Sequence, residues 1–298
     1  MSDFKTHSDV LITENWRDYE LLDSGDGLKF ERFGPYTFVR PEPQAMWRPK
    51  LAEKEWHGAH AVFQGGDDEE SGGWSFNKPL PARWEMHWGD IRFFAEATPF
   101  RHLGVFPEHA AQWKWMTAQV QAATRPINVL NLFAYTGIST LTLAAAGAQV
   151  THVDASKKVV AWARENQTLS SLNERPVRWI IDDALKFTQR AARRGTRYDA
   201  LIIDPPKFGR GPKGELWKLH ESLPLLLQAC GEVLSDQPLF AILTAYAVKV
   251  SPLSLYHLLE DLFSGHSGQI RAGEMALREK SGGRLLATSA YGRWEQSK

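Results

Sequence analysis

Two carboxylates in this chain stand where α/β proteins do their chemistry. Asp154 ends one apolar run and Asp204 ends another, Tyr198 to Ile203, with Pro205, Pro206, Lys207 and Phe208 directly behind it. An acid closing the second strand of a nucleotide-binding βαβ unit accepts hydrogen bonds from ribose hydroxyls. An acid followed by two prolines suits a different task. Prolines fix φ and carry no N–H, so the strand end is stiff and presents its carboxylate and carbonyls as acceptors. Such a group aligns a nucleophile for an in-line displacement and balances the charge that develops. Asp204, Pro205, Pro206 and Lys207 are therefore the candidate catalytic segment, with Lys207 either touching substrate phosphate or orienting the loop.

The turn ahead of Asp154 narrows the ligand. An apolar run, Ile127 to Phe133, enters Ala134-Tyr135-Thr136-Gly137, and a small-residue stretch, Ile138 to Ala146, leads on to the run ending at Asp154. A dinucleotide fingerprint needs G-x-G-x-x-G, because glycines let a pyrophosphate lie against the backbone at a helix N-terminus. Here Phe133 and Tyr135 fill crowded positions and only Gly137 remains. A cofactor without phosphates tolerates that turn. S-adenosylmethionine fits: an adenosine, an amino-acid tail and a sulfonium, asking for one close backbone approach, a ribose acid and polar contacts at the tail. The competing readings are a glycine turn that merely packs a helix on a strand, and a nicotinamide-dependent oxidoreductase. The latter would share the sheet and Asp154 but should have a glycine-rich first turn.

The elements that must position these groups alternate. Val177 to Ile181 reads as a strand ending at Asp182 and Asp183, Ala184 to Ala192 as a helix, and Tyr198 to Ile203 as the strand that delivers Asp204. A Leu-rich helix over Leu223 to Leu234, a strand over Leu239 to Thr244 and a helix over Leu253 to Phe263 follow, the last opened by Ser251 and a first-turn Pro252. Ile270 to Leu277 and Leu285 to Ser289 read as closing strands. Alternation of this kind means a mostly parallel sheet covered on both faces, with ligands beyond the strand carboxyl ends. The expected fold is α/β, a Rossmann-like doubly wound seven-stranded sheet over residues 98–298, preceded by a small β-rich domain over residues 1–97. In that first part Tyr19 to Val39 reads as hairpins around Ser24-Gly25-Asp26-Gly27 and Phe33-Gly34-Pro35.

From about Phe100 onward the chain resembles class I S-adenosylmethionine-dependent methyltransferases, and within them the bacterial 23S ribosomal RNA large-subunit methyltransferase I-like group. The matching residues are Asn131-Leu132-Phe133-Ala134-Tyr135-Thr136-Gly137, Val153-Asp154-Ala155-Ser156, Asp182-Asp183-Ala184, and Asp204 to Phe208. By that resemblance Asn131 to Gly137 lines the methionine end of the cofactor, Asp154 with Ala155 and Ser156 holds the ribose, and Asp183 with Ala184 flanks the adenine. The segment Gly104-Val105-Phe106-Pro107-Glu108-His109 keeps the family's glycine, aromatic and acid, which brings Phe106 and Glu108 to the cofactor. Glu108 and His109 depart from the usual Asp-Gln pair, and Ala110 replaces an Arg. The resemblance implies an RNA acceptor, ribosomal RNA first; a protein or small-molecule acceptor is the alternative.

Carbon and nitrogen chemistry make different demands. Methylating C5 of a pyrimidine needs a cysteine thiolate to add at C6. The strand after the substrate loop ends Leu243-Thr244-Ala245-Tyr246-Ala247, without Cys, and Cys230 lies in an apolar helical stretch where thiols are inert. The residues favour nitrogen, with Asp204 accepting a hydrogen bond from an amino group.

Composition sets the frame. Lysine plus arginine and aspartate plus glutamate both number 35, so indiscriminate nucleic-acid binding is disfavoured and any phosphate contact must be local. The basic candidates are Lys207, Arg210, Lys213 and Lys218 behind Asp204, where Phe208, Arg210 and Lys213 are the expected acceptor contacts, with Arg190, Arg193, Arg194 and Arg197 just upstream. One cysteine excludes internal disulfides, and no Cys/His cluster has zinc spacing, so no metal is expected. No leader pattern and no apolar run of roughly 20 residues is present, so the expectation is a cytoplasmic enzyme without a membrane partner, a homo-oligomer being open. Eight of twelve Trp precede position 116; they are expected in a small-sheet core rather than on RNA bases. Gly65 to Gly73 reads as an acidic, flexible loop.

Overall fold

The computed structural model describes residues 9–65, 72–246 and 250–297; residues 66–71 of the acidic loop, and Ala247, lie outside them. The N-terminal part contains β1 (Asp9–Thr13), β2 (Tyr19–Gly25), β3 (Leu28–Phe33), β4 (Tyr36–Pro41), α1 (Glu53–His57), β5 (Ala61–Gln64), β6 (Gly73–Phe76), β7 (Trp84–Trp88) and β8 (Ile91–Ala95). A 3-10 turn at Pro107–His109 leads into α2 (Ala110–Ala122), β9 (Asn128–Leu132), α3 (Ile138–Ala145), β10 (Gln149–Asp154), α4 (Lys157–Leu169), β11 (Val177–Ile181), α5 (Ala184–Arg193) and β12 (Ala200–Ile203). Then come β13 (Phe208–Arg210), β14 (Leu216–Lys218), α6 (Leu219–Gly231), β15 (Phe240–Tyr246), α7 (Pro252–Leu262), β16 (Gly268–Arg278) and β17 (Leu285–Gln296).

The large sheet runs β1-β16-β17-β15-β12-β9-β10-β11. β9 to β12 and β15 are parallel, and β17 is antiparallel to both its neighbours. The seven expected strands are all present, but the sheet has eight. The extra one is β1, which pairs in parallel with β16 from Asp9 opposite Gly273 to Thr13 opposite Leu277. Its isolated apolar run, Val10 to Ile12, gave no sign of a partner some 260 residues away. The closing strands are also longer than expected, with a bulge between Met275 and Ala276. The 208–218 segment, expected as a broken loop, is an antiparallel hairpin with Phe208 opposite Lys218 and Arg210 opposite Leu216.

Chain order reverses at β9, which has β10 on one side and β12 on the other. At such a switch point the connections leave in opposite directions and open a crevice at the strand carboxyl ends. Asn131 and Asp204 both face that crevice for this reason.

β2 to β6 form a five-stranded sheet and β7–β8 a hairpin, all before residue 97. The packing is shared across the boundary placed there. Trp16 meets Trp88 edge-on at 5.3 Å and Trp113 of α2 at 5.7 Å, and one core joins Phe33, Phe38 and Phe93 to Met116, Leu141 and Val150. Trp16, Trp84 and Trp113 are buried in it, as expected for tryptophans that fill a core. Among the described residues no helix is long and apolar enough to cross a membrane.

Candidate active site

The turn after β9 is held against its own preferences. Phe133 (φ 55°) and Tyr135 (φ 50°) are both left-handed, a conformation that costs a side-chain-bearing residue roughly 1–2 kcal/mol. Local contacts offset that cost. The Asp154 Oδ2 accepts from the Tyr135 N–H at 2.9 Å, the Ala134 N–H donates to the Val153 carbonyl, and the Phe133 ring packs on Trp217 at 4.7 Å. The Thr136 hydroxyl donates to the Gly104 carbonyl at 2.7 Å, and Asn166 Nδ2 donates to the Thr136 carbonyl at 2.9 Å. Gly137 (φ 84°) closes the turn; a Cβ there would stand 2.9 Å from the Ala163 Cβ of α4. A small, backbone-lined cradle is thus built without the glycines a pyrophosphate needs.

Beneath the turn lies a buried polar chain. Asn131 Nδ2 donates to Thr140 Oγ1 at 2.9 Å, and Thr140 Oγ1 is 3.0 Å from His152 Nδ1. All three side chains are buried. Thr140 Oγ1 can donate to His152 Nδ1 or accept from it, and His152 Nε2 is buried without a hydrogen-bond partner. Burial drives the His152 pKa down to about 3, so the imidazole is neutral.

A cleft is lined by the turn from Phe133 to Ser139 together with Val105, Phe106, His109, Trp113, Asn131, Ile202 and Asp204. Asp204 Oδ1 accepts from the Thr244 hydroxyl, and Oδ2 lies 3.4 Å from His109 Nε2. Phe106 anchors an aromatic wall, its ring centroid 5.5 Å from both Tyr135 and Tyr246 and 4.8 Å from His102. The Tyr135 phenol is pushed well above the ordinary tyrosine range by burial and then by Asp154, so it is a neutral donor. Asp154 is raised by burial, against the pull of backbone N–H groups from Ser156, Tyr135 and Ala155.

Of the expected site residues, Phe106, Asn131, Phe133, Ala134, Tyr135, Thr136, Gly137 and Asp204 line this one cleft. Asp154, Ala155 and Ser156 stand at the adjacent rim after β10, where Ser156 also caps α4 through the Val159 N–H. Asp183 caps α5 by accepting from the Lys186 N–H, and Ala184 is buried in its first turn. Pro205 is buried, and the Pro206 carbonyl accepts from Trp217 Nε1 at 2.7 Å. Lys207 lies over the Phe208 ring, and Phe208, Arg210 and Lys213 are exposed on the hairpin.

Two expectations need correction. Glu108 points inward: it is 3% exposed, accepts from the Ser289 hydroxyl at 3.3 Å and does not line the cleft. The buried side of the 3-10 turn claims it. The upstream arginines do not form one basic face with the hairpin. Arg190 is paired with Asp182, and Arg193, Arg194 and Arg197 fall where α5 ends and β12 begins, the end of the sheet away from the cleft. Lys218 is paired with Glu221. The cleft residues outside the expected set are Val105, His109, Trp113, Ile138, Ser139 and Ile202, and Thr244 stands behind Asp204. Val105 and His109 carried a signal, their place in the Gly104–His109 segment.

A doubly wound sheet with a phosphate-free cradle and an Asp-Pro-Pro strand end at its switch point defines a class I nucleoside-cofactor transferase fold. The chain belongs to the S-adenosylmethionine-dependent methyltransferase family, whose model matches residues 29–245, so the match begins within the N-terminal sheet rather than at Phe100. S-adenosylmethionine is its cofactor. The nicotinamide alternative is set aside. A crystal structure of a SAM-dependent methyltransferase from Agrobacterium tumefaciens is 46% identical, covers 97% of this chain and 94% of its own, and superposes with a TM-score of 0.93. A putative SAM-dependent methyltransferase from Streptococcus mutans shares the fold at 14% identity, with a TM-score of 0.71 over 95% of this chain and 76% of its own. The ribosomal RNA large subunit methyltransferase K/L of Methylococcus capsulatus is 32% identical over 126 residues, 42% of this chain and 16% of that protein. The corresponding protein of Aeromonas hydrophila is 32% identical over 148 residues, 49% of this chain and 20% of its own length. The chain thus matches a fifth or less of the length of these curated relatives.

Proposed function

We propose that this enzyme transfers the S-adenosylmethionine methyl group to a nitrogen of a base in RNA, with large-subunit ribosomal RNA the expected acceptor. The observation that carries the reading is the placement of Asp204 in the same cleft as the Asn131–Gly137 turn. The turn would receive the methionine end, Asp154 would hold the ribose, and Asp183 and Ala184 would border the adenine. Asp204 then accepts a hydrogen bond from the acceptor's N–H and raises the nitrogen's nucleophilicity. Bound S-adenosylmethionine would supply the methyl from its sulfonium, with the C–S electron pair going to sulfur as the acceptor nitrogen bonds to carbon. The proton lost from nitrogen leaves through the Asp204 carboxylate.

The wall of Phe106, Tyr135, Tyr246 and His102 favours a planar acceptor, because flat rings stack where flexible chains do not. The exposed Phe208, Arg210 and Lys213 on the hairpin suit phosphate and base contact beside the mouth. The RNA acceptor named for the Methylococcus and Aeromonas relatives supports the same reading. Carbon chemistry is disfavoured, since Cys230 is fully buried on the inner face of α6 and its thiol is pushed up to about 12.

The test is label transfer. Purified enzyme is incubated with methyl-tritiated S-adenosylmethionine and, separately, deproteinised ribosomal RNA, intact subunits and ribosomal proteins. Label in large-subunit RNA, recovered on digestion as an N-methylated nucleoside, is the expected result. Label confined to protein, or a C5-methylated pyrimidine, would overturn it.

A further inference from the structure

We propose that His109 and Thr244 are positioning residues that clamp Asp204 for methyl transfer, one donor on each carboxylate oxygen, and that the N-terminal edge strand β1 holds half of that clamp in place. The inference rests on the reading that Asp204 orients the acceptor nitrogen.

Thr244 lies on β15, one residue beyond the Ile203–Leu243 pair of the β12–β15 ladder, so it stands level with Asp204 on the neighbouring strand. It is 1% exposed, and its branched Cβ leaves few rotamers to choose from. Its hydroxyl donates to Oδ1. From the opposite side His109, lining the cleft, brings Nε2 to 3.4 Å from Oδ2, a separation that in unliganded sites commonly shortens when substrate binds. An ionised carboxylate has about four lone-pair sites. Thr244 uses one on Oδ1 and His109 stands within reach of one on Oδ2, an arrangement that would fix the rotation of the carboxylate and leave the other sites for a new N–H. Preorganisation of this kind removes a reorientation step from the reaction.

His109 owes its position to residues far from the cofactor. It closes the 3-10 turn whose Pro107 and Glu108 carbonyls both accept from the Thr13 hydroxyl of β1, at 3.0 and 3.2 Å. The buried Glu108 carboxylate is tied to Ser289 of β17. The turn is therefore fastened at both ends of the β1-β16-β17 edge. This gives the eighth strand, which adds little core of its own, a part in the chemistry. The resemblance places a glutamine where this chain has His109; both carry an N–H donor of similar reach, so the shared property is donation.

The variants are His109→Leu, His109→Gln, Thr244→Val, Thr244→Ser and Thr13→Val, with Asp204→Ala alongside. Crystal structures of the wild type and of the His109→Leu, Thr244→Val double variant need no acceptor: one Asp204 rotamer touching both donors is expected in the first, and a rotated or multiple carboxylate in the second. An unchanged rotamer in the double variant would overturn the clamp. Turnover is then read with deproteinised ribosomal RNA, and cofactor affinity by calorimetry. His109→Leu and Thr244→Val should each lower kcat about tenfold to a hundredfold with cofactor affinity unchanged, the loss expected for a misplaced catalytic group. His109→Gln and Thr244→Ser should recover most of it, and Thr13→Val should show a smaller loss of the same kind. A His109→Gln enzyme as slow as His109→Leu, or full kcat in both donor-less variants while Asp204→Ala is inactive, defeats the clamp alone. Full kcat in Asp204→Ala defeats the reading of Asp204 and the clamp with it.

Discussion

The two loops at the carboxyl rim of the sheet are built in opposite styles. In the turn after β9 nearly every polar group is turned inward: the Ala134 and Tyr135 amides, the Thr136 hydroxyl and the Thr136 carbonyl all have protein partners. The hairpin after β12 is anchored on one face only. Trp217 is 4% exposed and packs on Phe133, whereas Phe208 and Leu216, on the other face, are 56% and 59% exposed. The first loop has one small molecule of fixed shape to hold, so the fold sets its contacts in advance. The second must meet a large acceptor and keeps its cations and aromatic free to adapt. Phe133 against Trp217 is the ring contact that joins the two styles.

The sharpest way to break this contrast is at Asp204, which belongs to the rigid part yet serves the acceptor. Asp204→Ala should lower kcat about 100- to 1000-fold, some 2.7–4 kcal/mol, while S-adenosylmethionine binds as before. Cys230→Ala should leave kcat unchanged, because the thiol is buried and protonated. A dead Cys230→Ala enzyme that still folds and binds cofactor would bring back a covalent base adduct.

Asp154 tests the rigid side. Asp154→Ala should weaken S-adenosylmethionine about 10- to 100-fold, or 1.5–3 kcal/mol, on the scale of charge-assisted hydrogen bonds. The structure adds a second effect. Both carboxylate oxygens already accept backbone N–H groups, Oδ2 from Tyr135 and Oδ1 from Ser156, so the variant should also melt earlier as the left-handed turn loses its brace. Calorimetry and thermal denaturation separate the two. Unaltered affinity would remove the ribose reading even if the melting point fell.

The base of the cradle should carry an acid weakness that the hairpin lacks. The folded pKa of His152 is depressed to about 3, against an ordinary histidine value of about 6.5. Between those pH values the unfolded chain binds a proton that the folded one does not. This group's contribution is therefore intact above pH 6.5 and is lost as pH falls towards 3, at about 1.4 kcal/mol per pH unit. Denaturant titrations of wild type and His152→Gln from pH 3.5 to 7 should differ by that slope. Parallel curves would mean that His152 is not kept neutral by its burial.

How much of this was legible in the residues follows the same division. Asn131 to Gly137, Asp154 and Asp204 could be placed because local periodicity fixes the strand ends and the switch-point rule fixes which ends meet. What stayed hidden depends on tertiary contact. β1 is a five-residue strand whose partner is fixed only by the finished sheet. Thr244 reads as one more strand residue until its neighbour is known to be Asp204. Glu108 looked like a cleft acid because spacing says nothing about which side of a 3-10 turn faces inward. Arg193, Arg194 and Arg197 looked near the site in sequence, but a ten-residue helix carried them to the far end of the sheet.

The smallest expected effect lies on the adaptable side and asks whether the hairpin is an interface or only solvated. Its outer face presents Arg210 and Leu216 as a cross-strand pair beside Phe208, with Lys207 and Lys213 at the edges. Glu215 does not neutralise that face: its carboxyl is held down at about 2 by Lys186 of α5, with help from backbone N–H groups, so its charge is already matched. Lys218 is matched by Glu221, which makes Lys213 and Arg210 the better probes. Removing one cation that meets a phosphate should reduce the slope of log affinity against log salt by roughly 0.7–0.9. RNA binding measured across salt for wild type, Lys213→Ala and the Lys213→Ala, Arg210→Ala pair should give steps of that size, with S-adenosylmethionine affinity untouched because the cradle holds its ligand without them. Three equal slopes would show that the exposed cations never meet phosphate, and the acceptor would then have to be sought among proteins or small molecules.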